Sequence, residues 1–224
     1  MIVAEQKPLD EIKNMVKGYD KVLVLGCGTC VSVCLAGGSK EVTTLSCELK
    51  LAFENAKSEF GTETIKRQCD MEFLAELDSI ADEYDAFLSM ACGAGVQFLA
   101  ERFPEKPVFP AVNTMSISVN RDLGVYEENC RACGTCVLGI TGGICPVTAC
   151  AKGLFNGPCG GTNNTSCEIN KDQPCAWHKI YERLEKQGRL DLIVEFTPPT
   201  MWVNQIPRTT IQPGYEDRAA ALKE

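Results

Sequence analysis

An α/β protein is the fold class this sequence predicts: an open, mainly parallel sheet domain, then a small irregular Cys-rich metal-binding domain, then an extended C-terminal arm. Three observations carry it. Residues 21–112 alternate short apolar runs with helical periodicities, which implies parallel strands joined by right-handed helical crossovers in a Rossmann-like sheet. Eight of the 14 cysteines crowd residues 130–175 among glycines and prolines. Beyond Leu192 the chain turns apolar and proline-bearing. Residues 113–128 hold no cysteine and read as a strand end plus linker, so the expected parts are 1–121, 122–191 and 192–224.

Composition narrows the class of function. The 22 Lys and Arg against 30 Asp and Glu give a net charge of −8, which argues against a nucleic-acid or anionic-membrane surface. The first residues carry no basic region followed by an apolar stretch, so no secretory signal is expected. No run approaches the ~18 apolar residues of a membrane span, and the expectation is a cytoplasmic protein without membrane insertion. A disulfide framework belongs to short secreted chains with little core, whereas 45% of this chain is hydrophobic. The thiols are therefore read as metal ligands.

The elements follow in order. Residues 9–15 are amphipathic and form a covering helix, and residues 21–25 are a buried strand ending at Gly26. Residues 42–46 are β-branched after the Gly37-Gly38 turn and read as a second strand. Residues 48–60 place Leu49, Phe53, Ala56 and Phe60 at helical spacing before Gly61 stops the helix. Residues 64–68 form a weaker strand, and residues 71–81 repeat the helical period through Phe73, Leu74, Leu77 and Ile80. A strand over 86–90, a helix over 95–103 halted by Pro104 and a strand over 108–112 complete the domain.

Drawn this way, the strands end in Cys27, Cys47, Cys69 and Cys92, with Cys30 and Cys34 in the loop after the first strand. The carboxyl ends of parallel strands share one edge, where ligands bind, so these thiols are expected on one rim. The expected rim ligands are Cys27, Cys30, Cys34 and Cys92, with Cys47 able to replace any of them; Cys69 is open between ligand and inert buried thiol. The same loop holds Gly26 and Gly28 but Val31 in the third position of a dinucleotide fingerprint, with cysteines where a pyrophosphate would approach, so no nucleotide is expected.

In the second field Cys130, Cys133 and Cys136 are spaced C-x2-C-x2-C, followed by Cys145, Cys150, Cys159, Cys167 and Cys175 at gaps of 8, 4, 8, 7 and 7. The triplet and the Cys145-Pro146 pair follow the bacterial ferredoxin pattern apart from the last gap, which favours a [4Fe-4S] cluster over four-thiolate zinc. The remaining five cysteines supply its fourth corner and a further metal site, either cluster or zinc. His178 reads as part of a helix over 176–186 with an apolar face of Ile180, Tyr181 and Leu184. The arm around Met201 and Trp202 is extended by Pro198 and Pro199 and either straps a partner or packs back on its own chain.

The run from Cys130 to Leu138, residues 141–146, residues 152–161 with their Asn-Gly-Pro-Cys-Gly-Gly stretch, Cys167 and residues 175–177 resemble the methylenetetrahydrofolate reductase C-terminal domain family. Ala151 stands where that pattern has proline. The resemblance implies a non-catalytic iron–sulfur subunit of an oxidoreductase. It would hold at least two [4Fe-4S] clusters and pass electrons from ferredoxin or another donor module to the FMN of a MetF-like flavoprotein. That partner reduces 5,10-methylenetetrahydrofolate to 5-methyltetrahydrofolate. A zinc-binding adaptor bridging the reductase to a larger assembly is the alternative.

Overall fold

The computed structural model describes residues 1–54 and 57–222, and the chain divides into two compact units, 1–129 and 130–224. In the first unit β1 (Ile2–Gln6) leads into α1 (Leu9–Val16), whose Ile12 and Val16 are buried and whose acidic Asp10 and Glu11 suit the first helical turn. A parallel sheet follows, built from β2 (Lys21–Cys27), β3 (Glu59–Ile65), β4 (Ala86–Ser89) and β5 (Val108–Pro110) in the order β3-β2-β4-β5. The order reverses between β2 and β4, so the crevice at the sheet's switch point opens beyond Cys27.

Strand β2 is buried at every position after Lys21, as a central parallel strand covered on both faces must be. Its alternate residues feed two cores. Val22 and Val24 pack with Val42, Leu45 and Leu49 of a long helix, while Leu23 and Leu25 pack with Leu74, Leu77 and Leu99. The covering elements are α2 (Cys30–Val33), α3 (Ser39–Ala52), α4 (Met71–Leu74) and α5 (Gly93–Arg102). A second sheet, ordered β1-β6-β7, uses β6 (Val112–Asp122), antiparallel to β1, and β7 (Val125–Cys130).

Several expected elements differ. Residues 42–46 are helical, lying inside α3. Val42, Leu45 and Leu49 share its buried face, and the Thr43 and Thr44 hydroxyls bond back to the Ser39 and Lys40 carbonyls at 3.0 Å, so β-branched residues are accommodated. The helix expected over 48–60 ends at Ala52; Ala56 lies outside the described residues, and Phe60 and Gly61 belong to β3. Gly61 is needed there for another reason: a Cβ would meet the Tyr84 hydroxyl at 2.2 Å. The strand expected over 64–68 therefore ends at Ile65. Residues 71–81 make only α4 and two 3-10 turns, Ala75–Leu77 and Ala81–Glu83, because the buried Leu74 and Leu77 need only a short turn to reach the sheet. The strand expected over 108–112 changes sheets at Ala111, and residues 113–128 form β6 and β7 in place of a linker.

The second unit has little regular structure: α6 (Pro146–Ala149), α7 (Ala176–Lys186), α8 (Asp191–Val194) and α9 (Glu216–Ala221). In α7 the buried residues are Ala176, Ile180 and Leu184, while Tyr181 faces solvent. The arm packs in part against its own unit. Trp202 meets Phe155 edge-on at 6.1 Å, and Arg208 Nη2 donates to the Ala132 carbonyl at 3.2 Å, whereas Val194, Phe196, Met201 and Ile206 are exposed. Among the described residues no helix is long and apolar enough to cross a membrane.

Candidate functional site

All 14 cysteines carry free thiols. In the second unit Cys150, Cys159, Cys167 and Cys175 line a single cavity of about 220 Å³, together with Lys152, Glu168, Trp177 and His178. Local backbone explains how four cysteines at gaps of 8, 7 and 7 meet there. Residues 163–166 turn back on themselves through paired Asn163 and Ser166 main-chain bonds, with Asn164 and Thr165 in the left-handed region. The turn then holds both flanks: Cys167 N donates to Gln173 O at 2.8 Å and Cys175 N to Thr165 O at 2.7 Å. Gln173 Nε2 donates to the Ala149 carbonyl at 2.8 Å and Trp177 Nε1 to the Leu154 carbonyl at 2.9 Å, fixing the opposite wall.

The thiols have donors aimed at them. Gly161 N donates to Cys159 Sγ at 3.4 Å, and Lys152 pairs with Glu168, which also accepts from Cys159 Sγ at 3.5 Å. Cys175 caps α7; burial pushes its thiol pKa up, but the Thr162 hydroxyl and the His178 and Trp177 main chain outweigh this and leave it below the ordinary value. His178 Nε2 lies 3.4 Å from Glu182.

Cys130 ends β7, and Cys133 and Cys136 follow in the loop beyond it, where Ala132, at φ +50°, donates its N–H to Cys130 Sγ at 3.4 Å. Cys133 Sγ donates to the Thr135 carbonyl at 3.5 Å. Gly134, at φ +89°, has no room for a side chain: a Cβ would meet Arg208 Nη1 at 2.6 Å and Val203 Cγ2 at 2.7 Å. Cys145 caps α6, and the Thr148 hydroxyl donates to its sulfur at 3.5 Å.

In the first unit the expected rim set is redistributed. Cys27 ends β2, with Sγ 3.8 Å from Thr29 Oγ1 and 3.9 Å from the Lys66 carbonyl. Cys30 begins α2, and Cys92 caps α5. Cys34 is buried, accepting from Ala4 N at 3.4 Å and lying 3.7 Å and 3.6 Å from the Ala4 and Val31 carbonyls. Cys47 ends no strand: it is exposed in the middle of α3 beside Thr43, Thr44, Glu48 and Leu51. Cys69 is exposed, yet partial burial raises its thiol pKa and the charges of Cys92 and Cys27 raise it further.

Gln68, the residue before Cys69, is fully buried. Its Nε2 donates to the Leu25 and Gly26 carbonyls at 2.9 and 3.0 Å. Its Oε1 accepts from Ser89 Oγ at 2.6 Å, and that hydroxyl accepts from Ala91 N at 3.2 Å. Leaving one such group unsatisfied in the core costs about 1–3 kcal/mol, so the network holds its members in place. Sequence inspection misses Gln68 because nothing local marks a glutamine as buried; its only signal is adjacency to Cys69.

Among the described residues no three Cys, His, Asp or Glu side chains converge on one point as ligands of a single metal ion would. Zinc needs four sulfurs about 2.3 Å from one centre. An iron–sulfur cluster bonds each thiolate to a different iron and so spreads its ligands around a larger body. Cys150, Cys159, Cys167 and Cys175, which line the cavity of about 220 Å³, are the residues of this unit that could hold such a group. Residues 109–203 match the family model described as methylene-tetrahydrofolate reductase C terminal. This stretch is related to methylenetetrahydrofolate reductase. It contains the whole second cysteine field. No curated protein and no solved structure matches the chain.

Proposed function

We propose that the chain is an iron–sulfur electron-transfer subunit of a methylenetetrahydrofolate reductase, of the MetV type, without folate chemistry of its own. The observation that carries this proposal is the cavity ringed by Cys150, Cys159, Cys167 and Cys175 within the stretch related to that reductase. A [4Fe-4S] cluster bound there would accept and release single electrons. The chain's part is to hold the four thiolates, aim the Gly161 N–H and the first turn of α7 at them, and wall off water with Trp177 and Pro158. The exposed loop of Cys130, Cys133 and Cys136, with Cys145, is a second candidate. The partner would be a MetF-like flavoprotein whose flavin receives the electrons from ferredoxin or another donor by way of this chain, and the exposed Val194, Phe196, Met201 and Ile206 offer the arm a surface for it.

Metal analysis of anaerobically purified full chain tests this. Iron and acid-labile sulfide in at least the ratio of two cubanes per chain, with a brown colour that bleaches on reduction, are expected. Cys159→Ser should remove the iron of one cluster. A colourless, zinc-only protein that still supports its reductase would replace the electron carrier by a structural adaptor.

A further inference from the structure

Residues 130–136 carry a left-handed residue in each gap between their cysteines. Ala132, at φ +50°, lies between Cys130 and Cys133, and Gly134, at φ +89°, between Cys133 and Cys136. Glycine adopts that conformation freely, whereas alanine holds it only where surrounding groups impose it. Burial does not impose it, since Cys133 is half-buried and the other residues of 130–136 are exposed. What meets both positions is the C-terminal arm. Arg208 Nη2 donates to the Ala132 carbonyl at 3.2 Å across 76 residues of chain, while the Ala132 N–H is taken by Cys130 Sγ at 3.4 Å. Both main-chain polar groups of the strained residue are thus engaged. Two residues on, a Cβ at Gly134 would lie 2.6 Å from Arg208 Nη1 and 2.7 Å from Val203 Cγ2, so the arm lies directly against the loop backbone there.

The arm's own sequence suits this. Pro198 and Pro199 extend it toward Trp202, which meets Phe155 edge-on, and a 3-10 turn, Val203–Gln205, then bends it. Trp202, Val203 and Arg208 face the second unit, whereas Met201 and Ile206 are 81% and 73% exposed. The side chains that hold the loop are therefore not those left open to a partner. Arg208 also lies past residue 203, the last of the stretch related to methylenetetrahydrofolate reductase. A guanidinium on a main-chain carbonyl makes a charge-assisted, directional bond, suited to fixing one peptide plane. The backbone at Ala132 and Gly134 in turn sets the directions in which the three cysteines leave the chain. We propose that the C-terminal arm clamps loop 130–136, with Arg208 as the positioning residue for the thiols of Cys130, Cys133 and Cys136. The bearing of this clamp on a metal centre in the loop rests on the electron-carrier proposal.

The test uses the full chain purified without oxygen, with hydrogen exchange read by mass spectrometry and electron paramagnetic resonance of the reduced protein. Arg208→Ala removes a hydrogen bond from a charged donor, so amides of 131–136 should exchange about tenfold faster while those of α7 keep their wild-type rates. Arg208→Lys, which keeps a cationic donor, should restore much of the protection. Ile206→Ala, an exposed change on the same arm, should leave the loop as it is. The resonance that Cys133→Ser removes should change line shape in Arg208→Ala, and the one that Cys159→Ser removes should not. Wild-type exchange of 131–136 in Arg208→Ala overturns the clamp. So does equal acceleration in α7, which marks loosening of the whole unit. Acceleration by Ile206→Ala overturns the assignment to Arg208, and an unchanged line shape in Arg208→Ala overturns its positioning role. A wild-type chain without iron overturns the electron-carrier proposal, and the exchange rates then still decide the clamp.

Discussion

Burial pushes the Cys34 thiol above its ordinary pKa, against hydrogen bonds from the backbone of Ala4 and its neighbours that pull the other way, and the charge of Cys30 adds to the rise. The neutral thiol is the form the fold favours. Its contribution to stability is therefore complete below the ordinary thiol pKa and is lost as pH climbs through the raised value. In the metal-free chain Cys34 should be among the last cysteines alkylated by iodoacetamide at neutral pH, with Cys175 well ahead of it; peptide mapping of a time course reads the order, and equal rates would contradict it. The contrast between Cys34 and Cys69 also shows what chain spacing conceals. Three cysteines in one loop look alike in sequence, but one turn of α2 rotates Cys34 into the core beside Ala4, while Cys69 reaches the rim only because Gln68 is drawn inward. Both outcomes depend on partners far away in the chain.

At the scale of elements, β2 and β4 are legible because every residue in their apolar runs is buried from both sides, and α1 and α5 because period and stop signals agree. Residues 42–46 mislead because β-branched residues mimic a strand over so short a window. The signal that decides lies further on, in the spacing from Val42 through Leu45 to Leu49. Leu49 is fully buried against β2 and Phe60, so Leu49→Ala should cost about 2–5 kcal/mol, read as a lower urea midpoint. An unchanged midpoint would contradict the burial of Leu49. Strand β1 and the β6–β7 pair escape notice because apolar alternation does not track burial there: Ser118 is buried while Met115, Val119 and Val125 are exposed.

Across the whole molecule the two units rest on different physics. Nearly all buried apolar residues belong to the first; the second contributes Val147, Ala176, Ile180 and Leu184. So small a core leaves the chain entropy of its loops largely unopposed, and under the electron-carrier proposal ligation would supply the difference. Removing metal by acid or chelator should expose residues 130–175 to protease while the first unit survives, and mass spectrometry of the fragments reads the outcome. Equal protection with and without metal would contradict it. The crowding of cysteines makes this division legible in sequence, since thiols replace apolar residues where the second unit begins. Which four share a cavity is hidden in the left-handed turn at Asn164 and Thr165, since a β-branched threonine seldom adopts that conformation.

Trp177 lies in the wall of the four-thiol cavity, anchored through its indole nitrogen to Leu154. An emitting indole so placed is quenched by any iron chromophore seated beside it. Under the electron-carrier proposal this indole would be an optical gauge of maturation, dim when the cavity is filled and bright when it is stripped.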